Sequence, residues 1–183
     1  MSDAPFDARS VANLLLDEAD RIGIRVSNLV LQKLLYFAHG IFLIATKRPL
    51  VSGYFEAWEY GPVHPAVYNA FRESGSGPIS SRAKGQNILT GESRSIPNPA
   101  NPAVRRVVQQ VLNSYGNVSP GRLVDIAHAK NAPWEFIVDK SRTTVTFGLQ
   151  IPDSVIVERF KYHKVSVGDA PLAGEPIEDT PLT

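Results

Sequence analysis

Between Ser27 and Thr46 the chain offers a helix no polar face. Leu31, Leu34, Leu35, Phe37, Ala38, Ile41, Phe42 and Ile44 point all round a spiral of 3.6 residues per turn. A helix that is apolar on every side has to be enclosed, and in a water-soluble chain the enclosure is a bundle of other helices around it. The longest apolar stretch, 34–45, contains His39 and Gly40 and follows Lys33. It reads as too short and too polar to cross about 30 Å of hydrocarbon. The expectation is therefore a soluble domain built around one central helix.

Other segments supply the enclosure. A first helix is predicted over about 8–22, with Val11, Leu14, Leu15 and Ile22 on one face, Asp7 as N-cap and Gly23 as stop. Pro49 ends the central helix, and 50–58, rich in aromatics and broken by Gly53, reads as an extended segment laid on the core. Residues 59–65 read as a turn because Gly61, Pro62 and Pro65 punctuate them. Pro65 then opens a helix carrying Val67, Tyr68 and Phe71 that ends near Ser74. Residues 74–103 are loop-like, with a short strand at 87–90. Val104, Val107, Val108, Val111, Leu112 and Tyr115 follow at helical spacing, with Arg105, Arg106, Gln109 and Gln110 facing out. Ser119-Pro120 starts a further helix ending near Lys130, and Pro133 opens one more turn. A short β-branched strand is expected at 143–147, and a last helix from Pro152 through Phe160. The fold class is mainly α (α+β): a compact helical domain around a central apolar helix, with a minor β element. An N-terminal extension at 1–7, one domain at 8–164 and a disordered acidic tail at 165–183 complete the layout.

Composition removes several functions. Without cysteine there is no disulfide, no thiolate catalysis and no Cys-ligated zinc, which fits a reducing cytoplasm. The first residues are acidic and lack the basic-then-apolar pattern of a secretory leader, so a cytoplasmic location is expected. None of the histidines His39, His64 and His128 forms an i, i+4 pair or sits among acids, and no metal or cofactor is expected. No nucleophile elbow, phosphate loop or paired-carboxylate motif is visible, so no catalytic residue is assigned. The four acids after Lys164 mask a basic body: with them set apart, the +1 of the whole chain becomes +5 on residues 1–164. That balance suits an acidic protein surface. It is less than the dense basic stripe of a nucleic-acid binder, so nucleic acid and membrane are not expected partners.

The residues best suited to a protein partner are aromatic and cationic. Trp58, Tyr60 and Tyr68 offer large apolar area of the kind that dominates binding hot spots, or else fill the core. Arg105 and Arg106, with Arg122 and Lys130, face an acidic partner or a nucleic-acid phosphate, or else form solvated helix faces. Lys33 amid apolar neighbours either anchors the carboxylate of Glu56 or Glu59 or snorkels to the surface.

One block carries a resemblance. Residues 31–39 (Leu-Gln-Lys-Leu-Leu-Tyr-Phe-Ala-His), then Pro49-Leu50, then 55–63 (Phe-Glu-Ala-Trp-Glu-Tyr-Gly-Pro-Val), then Val67-Tyr68 and a later Ala132-Pro133-Trp134, resemble the Panacea domain of SocA-like antitoxins. The resemblance covers roughly residues 8–162. It implies function by protein contact: an antitoxin that neutralises a toxin encoded beside it. In the family's founding type the antitoxin is a proteolytic adaptor that delivers the toxin to the ClpXP protease. This chain has that type's length and layout, with no fused DNA-binding domain. The alternatives are a stoichiometric antitoxin that occludes the toxin without proteolysis and a DNA-binding operon repressor. The candidate partner contacts are Trp58, Glu59, Tyr60, His64, Tyr68, Arg72, Arg105 and Arg106. The candidate framework is Lys33, Tyr36, His39, Glu56, Gly61, Pro62 and Trp134. Leu172, Ile177 and Leu182, scattered through the acidic tail, suggest a tether that docks on the protease while the body holds the toxin.

Overall fold

A computed structural model describes residues 3–142 and 148–163. The first helix, α1, spans Ala8–Arg21, and Asp7 caps it, its carboxylate accepting from the Arg9 backbone N–H at 2.8 Å. Val11, Leu14 and Leu15 are buried as their spacing predicts. Ile22 is not. It sits at the cap beyond the last turn, off the buried face, and is 45% exposed. The central helix, α2, spans Asn28–Thr46 between an N-cap at Ser27 and a left-handed C-cap at Lys47. Every residue from Asn28 to Gly40 is buried. By length and composition this helix could cross a membrane, which corrects the reading that it is too short and too polar. Its apolar surface is already covered by protein, with 78% of the most apolar window buried inside the domain.

The cover comes from five helices. The first is α1. The others are α3 (Pro65–Phe71, continued by a 3-10 turn at Arg72–Ser74), α4 (Pro102–Tyr115), α5 (Pro120–Ala127) and α7 (Asp153–Arg159, continued by a 3-10 turn at Phe160–Tyr162); α6 spans Pro133–Ser141. Val104, Val107, Val108, Val111 and Leu112 of α4 are buried in the predicted stripe. Two lengths differ from expectation. The α5 helix stops at Ala127 because His128 leaves the helix to stack on Trp134, and Asn131 takes a positive φ that turns the chain into α6. The α6 helix runs past its opening turn to Ser141.

A buried carboxylate fastens α1 to α4. Glu18 accepts from Arg21 at 2.7 Å, Arg105 at 2.5 Å and Gln109 at 3.0 Å. The Gln109 hydrogen bond, with the two guanidinium groups, holds this carboxyl below the usual range against the effect of burial. Three donors on one carboxylate satisfy it fully, which is what keeps a buried charge tolerable.

The strands are short. β1 (Phe55–Trp58) and β2 (Gly61–Val63) form an antiparallel hairpin, and β5 (Gln150–Ile151) adds to the free side of β1, giving the order β2-β1-β5. The turn expected over 59–65 is thus only Glu59-Tyr60. Gly61-Pro62-Val63 is an edge strand, where a missing proline N–H costs no ladder bond. Ahead of α1, Phe6 is buried and exchanges main-chain hydrogen bonds with Leu50 and Ser52, both at 2.8 Å.

β3 (Lys84–Gln86) and β4 (Ser93–Ser95) form a separate two-stranded arm. The strand expected at 87–90 is instead the arm's turn. Asn87 Oδ1 accepts from the backbone of Leu89 and Thr90, and such an Asx turn overrides the strand propensity of Ile88. The arm's root is held by Asn13, which donates to Ala83 O at 2.9 Å and accepts from Ala83 N at 2.8 Å, all buried. Asn13→Ala leaves both Ala83 backbone groups unsatisfied and is expected to cost about 2–4 kcal/mol. A urea midpoint equal to wild type would show that the root is held otherwise. The strand expected at 143–147 and the tail expected at 165–183, with its proposed tether, lie outside the described residues.

Candidate partner-binding site

The β1–β2 hairpin is bolted to α2 by Lys33. This side chain is fully buried, and its Nζ donates to the Pro62 carbonyl at 3.3 Å. Burial rules out the snorkelling alternative, and the anchor reaches the hairpin through a backbone carbonyl. Gly61, next to that carbonyl, has φ 113°, and a Cβ there would lie 3.0 Å from Ala127 Cβ and 3.1 Å from Lys33 Cε. Only glycine allows the strand to approach α2 and α5 this closely.

Aromatic and polar contacts extend the bolt. Trp58 donates from Nε1 to Glu56 Oε2 at 2.8 Å and stacks edge-on against Tyr68 at 4.8 Å. Its own carbonyl accepts from Trp134 Nε1 at 2.7 Å. The Trp134 ring lies flat on His128, with centroids 3.7 Å apart. Burial, and then the charge of Lys33, push the His128 imidazole down to about 4, against a hydrogen bond to the Glu59 backbone. Its ring is therefore neutral at pH 7.

Three more buried side chains tie the rest of the frame. His64 lies under the loop at Gly53, its Nε2 at 2.8 Å from Ser52 O and its backbone N–H donating to Gln32 Oε1 at 2.9 Å. Burial lowers its pKa. His39 accepts at Nδ1 from Val51 N, so its Nε2–H donates to Asp153 at 2.9 Å, joining α2 to the start of α7. His163 meets the Ile126 carbonyl through Nδ1 at 2.8 Å, which requires a proton there. Nε2 then accepts from the buried Tyr36 hydroxyl at 2.9 Å. Burial pushes His163 down to about 4 and Tyr36 up. The His163 role has no sequence signal: a lone histidine after the last helix matches no spacing rule.

The structure divides the candidate contacts. Trp58, 8% exposed, and His64, 3% exposed, are corrected from partner contacts to framework, because their rings fill the space between hairpin, loop and helix. Arg105 is only half exposed and is spent on Glu18. Glu59, at the hairpin turn, and Arg72, after α3, are exposed; Tyr60 and Tyr68 are half-buried. Arg106 is exposed on α4, a helix that packs against α1 and α2. Glu59, Tyr60, Tyr68 and Arg72, on the hairpin turn and along α3, thus keep accessible surface over a frame tied inside by Lys33, Glu56, Trp58 and Trp134.

The fold and this frame define a helix-centred domain that holds one aromatic hairpin rigidly in view. A family model described as the antitoxin SocA-like, Panacea domain matches residues 31–135, which span the central helix, the hairpin and Trp134. Antitoxin SocA of Caulobacter vibrioides (strain NA1000 / CB15N) is 46% identical over 175 residues, covering 96% of this chain and 93% of that protein. The chain belongs to the SocA-like, Panacea-domain antitoxin family. No solved structure matches it.

Proposed function

We propose that this chain is the antitoxin of a toxin–antitoxin pair, binding its cognate toxin and delivering it as a proteolytic adaptor to a ClpXP-type protease in the cytoplasm. The observation that carries this reading is the 46% identity to antitoxin SocA along 96% of the chain. Physical support comes from the hairpin. Its frame is fixed by buried contacts before any partner arrives, so binding spends little on ordering it. Tyr60 and Tyr68 add rigid aromatic area, and Arg72 and Glu59 add charges that select a partner. The adaptor acts by contact alone: it raises the toxin's concentration at the unfoldase and leaves the toxin's chemistry unchanged.

The toxin is the protein encoded beside this chain, and titration calorimetry of the two purified proteins tests the pairing. Arg72→Ala is expected to weaken binding about tenfold without lowering thermal stability, and Tyr60→Ala to weaken it further at some cost in stability, because Tyr60 also packs on the core. Absence of any complex with the wild-type chain would remove the toxin-holding reading.

A further inference from the structure

The β3–β4 arm carries two apolar side chains that nothing in the domain covers. Ile88 is 99% exposed and Leu89 95%. They are not on a floppy loop. Asn87 N donates to Glu92 O at 2.9 Å, Gly91 N to Asn87 O at 2.7 Å, and Asn87 Oδ1 accepts from Leu89 N at 2.9 Å. The turn's own hydrogen bonds therefore fix the pair as an outward knob. The root is fixed too, by Asn13 on Ala83 and by Arg82, which pairs with Asp17 and Asp20. Both strands of the arm are largely solvent-exposed, and among the described residues neither outer edge pairs with another strand.

A matching hollow lies at the root of the same arm. A cleft of about 420 Å³ begins where β4 ends and is lined by Pro5, Phe6, Ile96, Pro97, Pro99 and Ala100. Its polar side chains are already engaged: the Ser10 hydroxyl donates to Pro97 O at 2.6 Å, Asp7 binds Arg9, Asn98 donates to Asp17 at 2.6 Å, and Asn101 caps Ala103 N. Filling it with apolar side chains leaves these side-chain donors and acceptors paired. The knob cannot reach the hollow of its own chain, because tip and root are on the order of 15 Å apart along an extended hairpin.

We infer that the arm docks on a second copy of this chain, each Ile88-Leu89 tip entering the other copy's Ile96–Ala100 cleft. Two arms laid antiparallel about a twofold axis put each tip at the other's root, so both contacts form at once. The same alignment sets Glu92, near each tip, beside Lys84 and Arg94, near the other root. It also lets the free strand edges meet, as exposed edges do when a like strand is available. Two exchanged tips and the clefts they fill come to about 1,000 Å², the low end for a specific interface, so the dimer is concentration-dependent.

The test is sedimentation equilibrium of the full chain, wild type against Ile88→Ser/Leu89→Ser. Both positions are solvent-exposed, so the substitutions spare the fold, and circular dichroism checks this. The wild type is expected to dimerise at a concentration on the order of 10 µM, and the variant to dissociate at least tenfold more readily. The chain has no cysteine. Leu89→Cys/Ala100→Cys is thus expected to give a covalent dimer on mild oxidation, the intrachain span being beyond the ~7 Å that a disulfide bridges. A wild type that stays monomeric at 100-fold higher protein would overturn the inference, as would an equally strong dimer of the double serine variant. A monomeric wild type whose toxin complex is lost with the serine variant would assign the knob to the toxin instead and also overturn it.

Discussion

Gly61→Val is expected to destabilise the domain by about 3–5 kcal/mol, enough to leave a marginally stable chain largely unfolded at 37 °C. Two penalties add. The backbone at φ 113° lies where a β-branched residue is strained, at about 1–3 kcal/mol. The new Cβ also meets Ala127 Cβ at 3.0 Å and Lys33 Cε at 3.1 Å, and neither can retreat: Ala127 and Lys33 are both fully buried. Overpacking of that kind costs a further 1–3 kcal/mol or so. Gly91→Val isolates the first penalty, since Gly91 also has positive φ, 72°, but nothing lies within 4 Å of its Cβ position. Urea melts of the two variants should differ by about 2 kcal/mol. Equal midpoints would mean that the hairpin does not bear on Lys33 and α5 as described.

Acid is expected to weaken the fold over a window set by two imidazoles. His128 and His163 titrate at about 4 in the folded chain, below the ordinary 6.5. The fold therefore accommodates the neutral rings. Their stabilising contribution is complete above pH 6.5. It declines as pH falls from 6.5 to 4, where the unfolded chain takes up protons that the folded chain refuses, and it is gone below about 4. Each ring accounts for roughly 3 kcal/mol across that window, and His64, lowered by burial, acts in the same direction. Glu18 and Asp7, held below the usual carboxylate range, add their own loss only from about pH 5 downward, as the unfolded carboxyls take up protons that the folded ones refuse, so the decline above that belongs to the histidines. Stability from urea melts at pH 7.5, 5.5 and 4.5 should fall by several kcal/mol, and His163→Gln should flatten the slope. A constant midpoint from pH 7.5 to 4.5 would contradict the burial of these rings.

What the sequence made legible is local. The central helix announces itself because no face of it is polar, and α1 and α4 follow from apolar spacing, with Asp7 and Gly23 marking the ends of the first. Ser119-Pro120 marks α5 for the same reason: caps and prolines act over a few residues. The hairpin block and Trp134 are legible through the resemblance, which placed the framework on Lys33, Gly61 and Pro62. What stayed hidden depends on partners far along the chain. Trp58 and His64 become interior only because Trp134, Tyr68 and the loop at Ser52 close over them. Arg105 looks like a free cation until Glu18, from another helix, claims it. Ile88 reads as strand because its propensity is strong, whereas Asn87 and Gly91 decide the turn. The two-residue β5 and the edge strand at Gly61-Pro62 carry too little pattern to register.

The most direct test of the adaptor reading is a degradation assay with purified ClpXP, ATP and the toxin encoded beside this chain, with the chain present or absent. The account predicts that the toxin persists alone and disappears when the chain is added. A toxin that binds the chain yet survives at the rate of the chain-free control would contradict delivery and leave an antitoxin that acts by occlusion.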